Sequence, residues 1–322
     1  MADDTLEGSL GFFTTRTMFC LCLAAGHGAT PVLAQDSLPF DLEGRIALGV
    51  SIPDDPAFDT FNYATIDLEG QIPFGQNAAF GLGFDAFVLS NLEDEPTEYV
   101  DLYLYYNLGP GQVQVGHAQS AIDLFLPNHP LTFGGRSEIS LLLEVFQHNT
   151  FVRRLSYGEE PALGLSYFGD YGMFEAAASV HFNQEGDGTA YAFAGLYNVS
   201  ASVELFGGTE FVESTSTNPD PRFWLGGRYE ANGVFVEGIY STGVNFISGQ
   251  DTFEVNLRYE IPTLQNLTLG ASLFSNRGFG GDADRYAFGA EYVADNGLGI
   301  GASASGLDGD ITDFRVEGSY NF

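Results

Sequence analysis

From Asp313 to Phe322 the chain alternates without a break. Phe314, Val316, Tyr320 and Phe322 share one face with Gly318, while Asp313, Arg315, Glu317, Ser319 and Asn321 share the other, because successive strand side chains point to opposite sides. A strand that is polar on one face and aromatic on the other needs two solvents. In a soluble sandwich the apolar face meets a protein core. In a membrane barrel it meets lipid, and the polar face meets enclosed water.

The same pattern recurs in segments of about ten residues separated by turn residues. It predicts strands at 41–50, 60–71, 78–89, 98–107 and 112–118, then at 161–168, 172–182, 189–197, 199–210, 222–230, 234–246, 251–260, 267–275, 284–293, 298–306 and 311–322. That is sixteen, an even number, as single-chain bacterial barrels have. Short connections such as Ala231-Asn232-Gly233 alternate with longer ones such as 213–220. Asn198 reads as a turn between the eighth and ninth strands. The stretch 118–160 breaks the pattern, and so long an irregular segment in a compact protein is usually functional. Residues 149–157 within it can be read as one more strand, which would upset the parity. The expected fold is all-β: a transmembrane antiparallel barrel of about sixteen strands.

Charge narrows the function. The chain has 43 Asp and Glu against 11 Lys and Arg, a formal net charge of −32, and every cation is Arg. Nucleic-acid binding needs clustered cations, so it is disfavoured. The acidity fits either a solvated surface or a water-filled interior whose field favours cations. Small inward positions (Gly81, Gly83, Gly164, Ser166, Ser179, Gly299, Gly301, Ser303) leave room for water. Tyr99, Tyr106, Tyr197, Tyr229, Tyr259, Tyr292 and Phe322 fall near strand ends, where a half-wet ring suits a membrane interface. No nucleophile elbow, H-E-x-x-H or phosphate loop is present, so no enzyme is expected. No cofactor is expected either, apart from weak calcium candidates in the oxygen-rich turns: Asp308, Asp310 and Asp313, and Glu93, Asp94 and Glu95.

Cys20 and Cys22 lie in an apolar run too short to span a bilayer, followed by Val32-Leu33-Ala34. This reads as a secretory leader, residues 1–34, ahead of a barrel domain at 35–322. Asp3, Asp4 and Glu7 with a single Arg16 make an unusual leader, consistent with a true start downstream of Met1. Without cysteine after cleavage, the barrel depends on strand pairing and packing.

The alternating strands, Gly111-Gln-Val-Gln-Val-Gly116, the long third loop and the terminal Tyr320-Asn321-Phe322 together resemble the sixteen-stranded trimeric general porins, most nearly the acidic, Rhodobacter-like type of purple alphaproteobacteria. The resemblance implies a homotrimer in the bacterial outer membrane, in contact with the lipid bilayer and lipopolysaccharide. Tyr320 and Phe322 would then form the signal read by the barrel-assembly machinery. It also implies a water-filled channel for ions and small hydrophilic solutes, narrowed by the third loop folded into the lumen. By position the loop acids would be Asp123, Glu138 and Glu144, and the wall cations Arg45, Arg228, Arg258 and Arg315, with Arg153 and Arg154 at the loop rim. Arg45 and Arg258 are expected to pair locally with Glu43 and Glu260. The chain departs from the family pattern where strands two to four carry Asp67, Glu69, Asp85 and Asp101 inward. That favours an acidic, cation-preferring eyelet. A substrate-specific channel and a non-conducting structural or adhesive barrel are the alternatives.

Overall fold

The computed structural model describes residues 41–54, 60–74, 79–90, 97–125, 152, 162–183, 188–214, 221–243, 251–264, 266–277, 283–307 and 310–322. The expected leader lies outside them. Sixteen strands follow in order: β1 (Asp41–Pro53), β2 (Phe61–Phe74), β3 (Phe80–Ser90), β4 (Thr97–Leu108), β5 (Gly111–Gly116), β6 (Leu163–Asp170), β7 (Phe174–Phe182), β8 (Gly188–Ser200), β9 (Val203–Ser214), β10 (Arg222–Ala231), β11 (Val234–Thr242), β12 (Asp251–Glu260), β13 (Leu267–Arg277), β14 (Ala283–Val293), β15 (Leu298–Leu307) and β16 (Asp310–Asn321). Each strand pairs with its sequence neighbours, and β1 pairs with β16, so the sheet closes on itself. Closure leaves no free edge, which lipid would not tolerate.

The last residue completes that closure. Phe322 exchanges both backbone hydrogen bonds with Gly44 of β1, each 3.0 Å, and its ring stacks on Tyr320 with centroids 5.8 Å apart. At the β10–β11 hairpin, Asn232 and Gly233 both take positive φ, 54° and 76°. That is the backbone a two-residue turn needs to match strand twist, and Asn-Gly supplies it at least cost. The β8–β9 turn differs from expectation. It falls at Ala201-Ser202, not Asn198, because the register shifts between Asn198 and Ser200 and β8 runs on to Ser200. β11 ends at Thr242 and the chain bends at Gly243, while the rest of the expected strand, 244–246, lies outside the described residues. Of 149–157, only Val152 is described, in helical conformation and buried.

Polarity is inverted relative to a soluble protein. Leu48, Leu225 and Ile300 are 61%, 66% and 59% exposed on the outside, whereas Glu237, Glu210 and Arg222 are only 1–2% exposed on the inside. An outer face of this kind is stable only in an apolar medium, where each large side chain kept from water is worth about 2 kcal/mol. Exposed rings mark both ends of the outer wall. Tyr106, Tyr197, Tyr229, Tyr259 and Tyr292 lie toward the short turns, and Tyr191, Phe211, Phe223, Tyr240 and Phe253 toward the long loops. Their spacing matches two aromatic belts around an apolar band. Among the described residues no helix is long and apolar enough to cross a membrane.

After β5 the chain turns inward. Ala121, Ile122 and Phe125 pack against Ala177, Ala192, Leu196, Phe206, Trp224 and Ile239, all on the inner wall from β7 to β11. The start of the third loop is therefore anchored inside the barrel. Of the rest of that loop only Val152 is among the described residues.

Candidate functional site: the inner wall

Three sectors of the inner wall carry charge in different ways. On β2–β4, Glu69 stands directly opposite Asp85, and Asp85 directly opposite Asp101. The three carboxylates thus run in one row across three strands, with Asp67 one step along β2. Like charges facing across a sheet repel. Among the described residues this sector has no inward arginine. Asp85 accepts a hydrogen bond from the Gln119 amide at 2.8 Å, which ties the start of the third loop to the acidic row.

The sector from β9 to β12 pairs each arginine with a carboxylate and an aromatic ring. Arg222 meets Glu210 at 3.0 Å and lies 5.7 Å from the Trp224 ring. Arg228 reaches Glu237 at 2.5 Å and Glu204 at 3.7 Å, donates to the Phe125 carbonyl at 2.6 Å and covers the Phe206 ring at 4.6 Å. Arg258 meets Glu230 at 3.8 Å over the ring of Phe235 at 4.9 Å. A planar guanidinium can stack and pair at once, which an ammonium cannot do as well. Asn256 donates from one amide nitrogen to both Glu237 and Glu254, at 3.2 and 2.7 Å.

The third sector closes the seam. Arg45 on β1 binds Glu317 on β16 and Glu291 on β14, the latter at 3.1 Å. Gly301 lies between those two acids in register and leaves the path open. Tyr63 on β2 donates to Glu317 at 3.1 Å. Arg315 pairs with Asp313, whose other oxygen accepts from Ser51 at 2.6 Å. The local partners expected for Arg45 and Arg258 are corrected here. A long guanidinium arm reaches across the sheet as readily as along its own strand, and here Arg45 pairs with Glu291 and Glu317 and Arg258 with Glu230, not with Glu43 and Glu260.

The loop start is held by polar contacts as well as apolar ones. Ser166 donates to the Gln119 carbonyl at 2.7 Å, Ser179 accepts from the Ala121 amide at 2.9 Å, and the His181 ring nitrogen meets the Ala118 carbonyl at 2.9 Å. Asp123 is buried and caps its own turn: its carboxylate accepts from the Ser120 amide at 3.4 Å, and Ser120 accepts from the Asp123 amide at 3.3 Å. His117 sits just beyond β5, where burial lowers its pKa below the ordinary imidazole value.

Glu138, Glu144, Arg153, Arg154, Asp308 and the Glu93–Glu95 turn lie outside the described residues, as does the side chain of Asp310. Asp313 is engaged by Ser51 and Arg315. Groups of three or more His, Cys, Asp or Glu able to hold a metal are not found among the described residues. Sequence reasoning missed Arg222 and Arg285 on the wall, and the carboxylates Glu210, Glu237, Glu254, Glu291 and Glu317. The signal was available, since Arg222 shares strand parity with Arg228, and Arg285 shares it with Glu291.

No family profile matches the chain, and no curated protein does. Solved structures do. A triple mutant of the Rhodopseudomonas blastica porin superposes with a TM-score of 0.67 at 14% identity, over 88% of this chain and 100% of that one. Two further mutants of the same porin give 0.66 with the same identity and coverage. At this identity the likeness is one of fold: the chain has the sixteen-stranded porin barrel that its sequence resembles.

Proposed function

We propose that the protein is an outer-membrane porin, a water-filled channel for passive diffusion of ions and small hydrophilic solutes, with a preference for cations. One observation carries the reading: a closed barrel that buries its charges inside and exposes its apolar side chains outside. The porin fold of the Rhodopseudomonas blastica structures supports it. No chemical step is involved. The Glu69–Asp85–Asp101 row, on a sector with no inward arginine among the described strand residues, supports cation preference, since fixed charges act on ions within about 8 Å at physiological salt. The arginines elsewhere on the wall stand against carboxylates and add little net positive field. The same reading includes a homotrimer, export by the leader, and assembly through Tyr320 and Phe322.

A non-conducting barrel is the second reading. The apolar packing of Ile122 and Phe125 inside the barrel favours it, because that packing fills part of the lumen. Planar-bilayer recording of the purified protein separates the two. A porin gives discrete conductance steps, with a reversal potential of cation-selective sign in a salt gradient. A smooth baseline would eliminate the channel, and an anion-selective sign would eliminate the electrostatic argument.

A further inference from the structure

We infer that Gly83 sets the bore of the channel beside the acidic wall, by letting the Tyr103 ring lie flat along the barrel instead of standing into the lumen. The inference rests on the porin reading and names a determinant of its selectivity. Gln71, Gly83 and Tyr103 stand in one register row across β2, β3 and β4. The Tyr103 ring crosses over Gly83, and its hydroxyl meets the Gln71 side chain in a hydrogen bond. A Cβ built on Gly83 would lie 2.6 Å from that hydroxyl oxygen and closer still to two ring carbons. Carbon and oxygen do not approach so closely without one of them moving. Gly83 does not have positive φ, so its backbone suits any residue. Space, not conformation, requires glycine here.

The arrangement recurs. Tyr63 on β2 crosses Gly49 on β1, where a Cβ would lie 2.7 Å from a ring carbon, and its hydroxyl reaches Glu317 on β16 at 3.1 Å. Tyr105 covers Gly81 in the same way. In the first two cases a ring spans the missing side chain of the adjacent strand and fastens to a polar group one strand further on. Tyr103 matters most for permeation because it borders the Glu69–Asp85–Asp101 row and is only partly buried. A flat ring leaves the lumen side of that row open at Glu69, its exposed member, while Asp85 and Asp101 lie buried in the wall. A lifted ring would occupy the water path and place an apolar surface before that row.

Gly83 is thus a positioning residue that acts through Tyr103. Planar-bilayer recording of Gly83→Ala, Tyr103→Ala and the double variant tests this. Gly83→Ala is expected to lose conductance and cation preference together. The double variant is expected to regain both, to the level of Tyr103→Ala. A merely structural glycine would lower the heat stability of the barrel, leave conductance per channel unchanged and show no rescue. Unchanged conductance in Gly83→Ala, or a loss that persists in the double variant, overturns the inference. If Gly83→Ala does not assemble, the double variant decides: assembly with Tyr103→Ala conductance supports the clash, and failure to assemble overturns it. An unmodified protein without conductance steps overturns the porin reading, and this inference with it.

Discussion

Glu210 and Arg222 face each other directly across β9 and β10, carboxylate to guanidinium at 3.0 Å, with the two side chains 0% and 2% exposed. Removing one member of a sealed pair strands the other charge in a low-dielectric site, at a cost of about 3–5 kcal/mol. Replacing both by apolar residues of similar volume costs far less, because no charge is left behind. Arg222→Met should therefore lower the temperature at which the folded band is lost on a heat-modifiability gel. Adding Glu210→Leu should recover most of the loss. An additive double variant would mean that the two residues stabilise the wall independently.

The Glu69–Asp85–Asp101 row makes a second prediction. A fixed charge 4 Å from a permeating ion interacts with it by about 1 kcal/mol in water and about 4 kcal/mol at a protein surface. Neutralising Asp85 and Asp101 together as asparagines should move the reversal potential in a salt gradient towards zero, a severalfold change in the permeability ratio. Neutralising Glu230, which is exposed and stands against Arg258, should change it little. Equal effects at the two places would show that net charge, and not this row, sets the preference.

Strand positions were legible because period-two alternation survives without tertiary information. Asp313 to Phe322 declares its faces from the sequence alone. Partners were not legible. Arg45 reaches Glu291 past Gly301 of β15, which lies between Glu291 and Glu317, a fact of register across two hairpins and the β1–β16 seam. The β8–β9 turn was misplaced because the irregularity at Asn198 moves the chain without changing residue types. The loop start was invisible for a different reason: Ile122 and Phe125 seek an apolar patch inside the barrel, where alternation alone predicts only polar wall.

The seam between first and last strands depends on Glu317, which receives both Arg45 and Tyr63. Glu317→Gln keeps the shape and removes the charge. It should weaken closure by about 1–3 kcal/mol, the usual cost of losing charge-assisted hydrogen bonds, with single-channel conductance nearly unchanged. Deleting Phe322 removes the two backbone bonds to Gly44 and the assembly signal proposed above. It should lower the amount of folded protein recovered from outer membranes, while refolding into detergent suffers less. An equal loss in both settings would assign Phe322 to stability alone.

Ile122 fits into a slot opened by Gly208. A Cβ on that glycine would lie 3.1 Å from Ala194 and closer still to the Ile122 side chain. Ile122 is 1% exposed, so Ile122→Ala should cost about 2–5 kcal/mol of local packing. Gly208→Val should expel the side chain from the same slot. Both variants should increase amide hydrogen exchange across residues 118–125 and raise open-channel noise. Faster exchange without added noise would show that the loop start does not control the conducting path.

His117 gives the loop an acid limit. Burial favours its neutral ring, so its pKa falls below the ordinary value, and its Nδ1 has no hydrogen-bond partner among the described residues. The unfolded chain therefore binds the proton first, at about pH 6.5. The stabilisation from a neutral His117 is full above that pH. It is lost as pH falls from there to the lowered folded value, and changes no further below it. The backbone of His117 anchors the loop to β4 through the Leu102 carbonyl at 2.9 Å, so the first structure to loosen is the turn out of β5. Thermal unfolding followed from about pH 7.5 to about pH 5 should show a downward slope that flattens in His117→Asn. An identical slope in the variant would place the acid sensitivity on other groups.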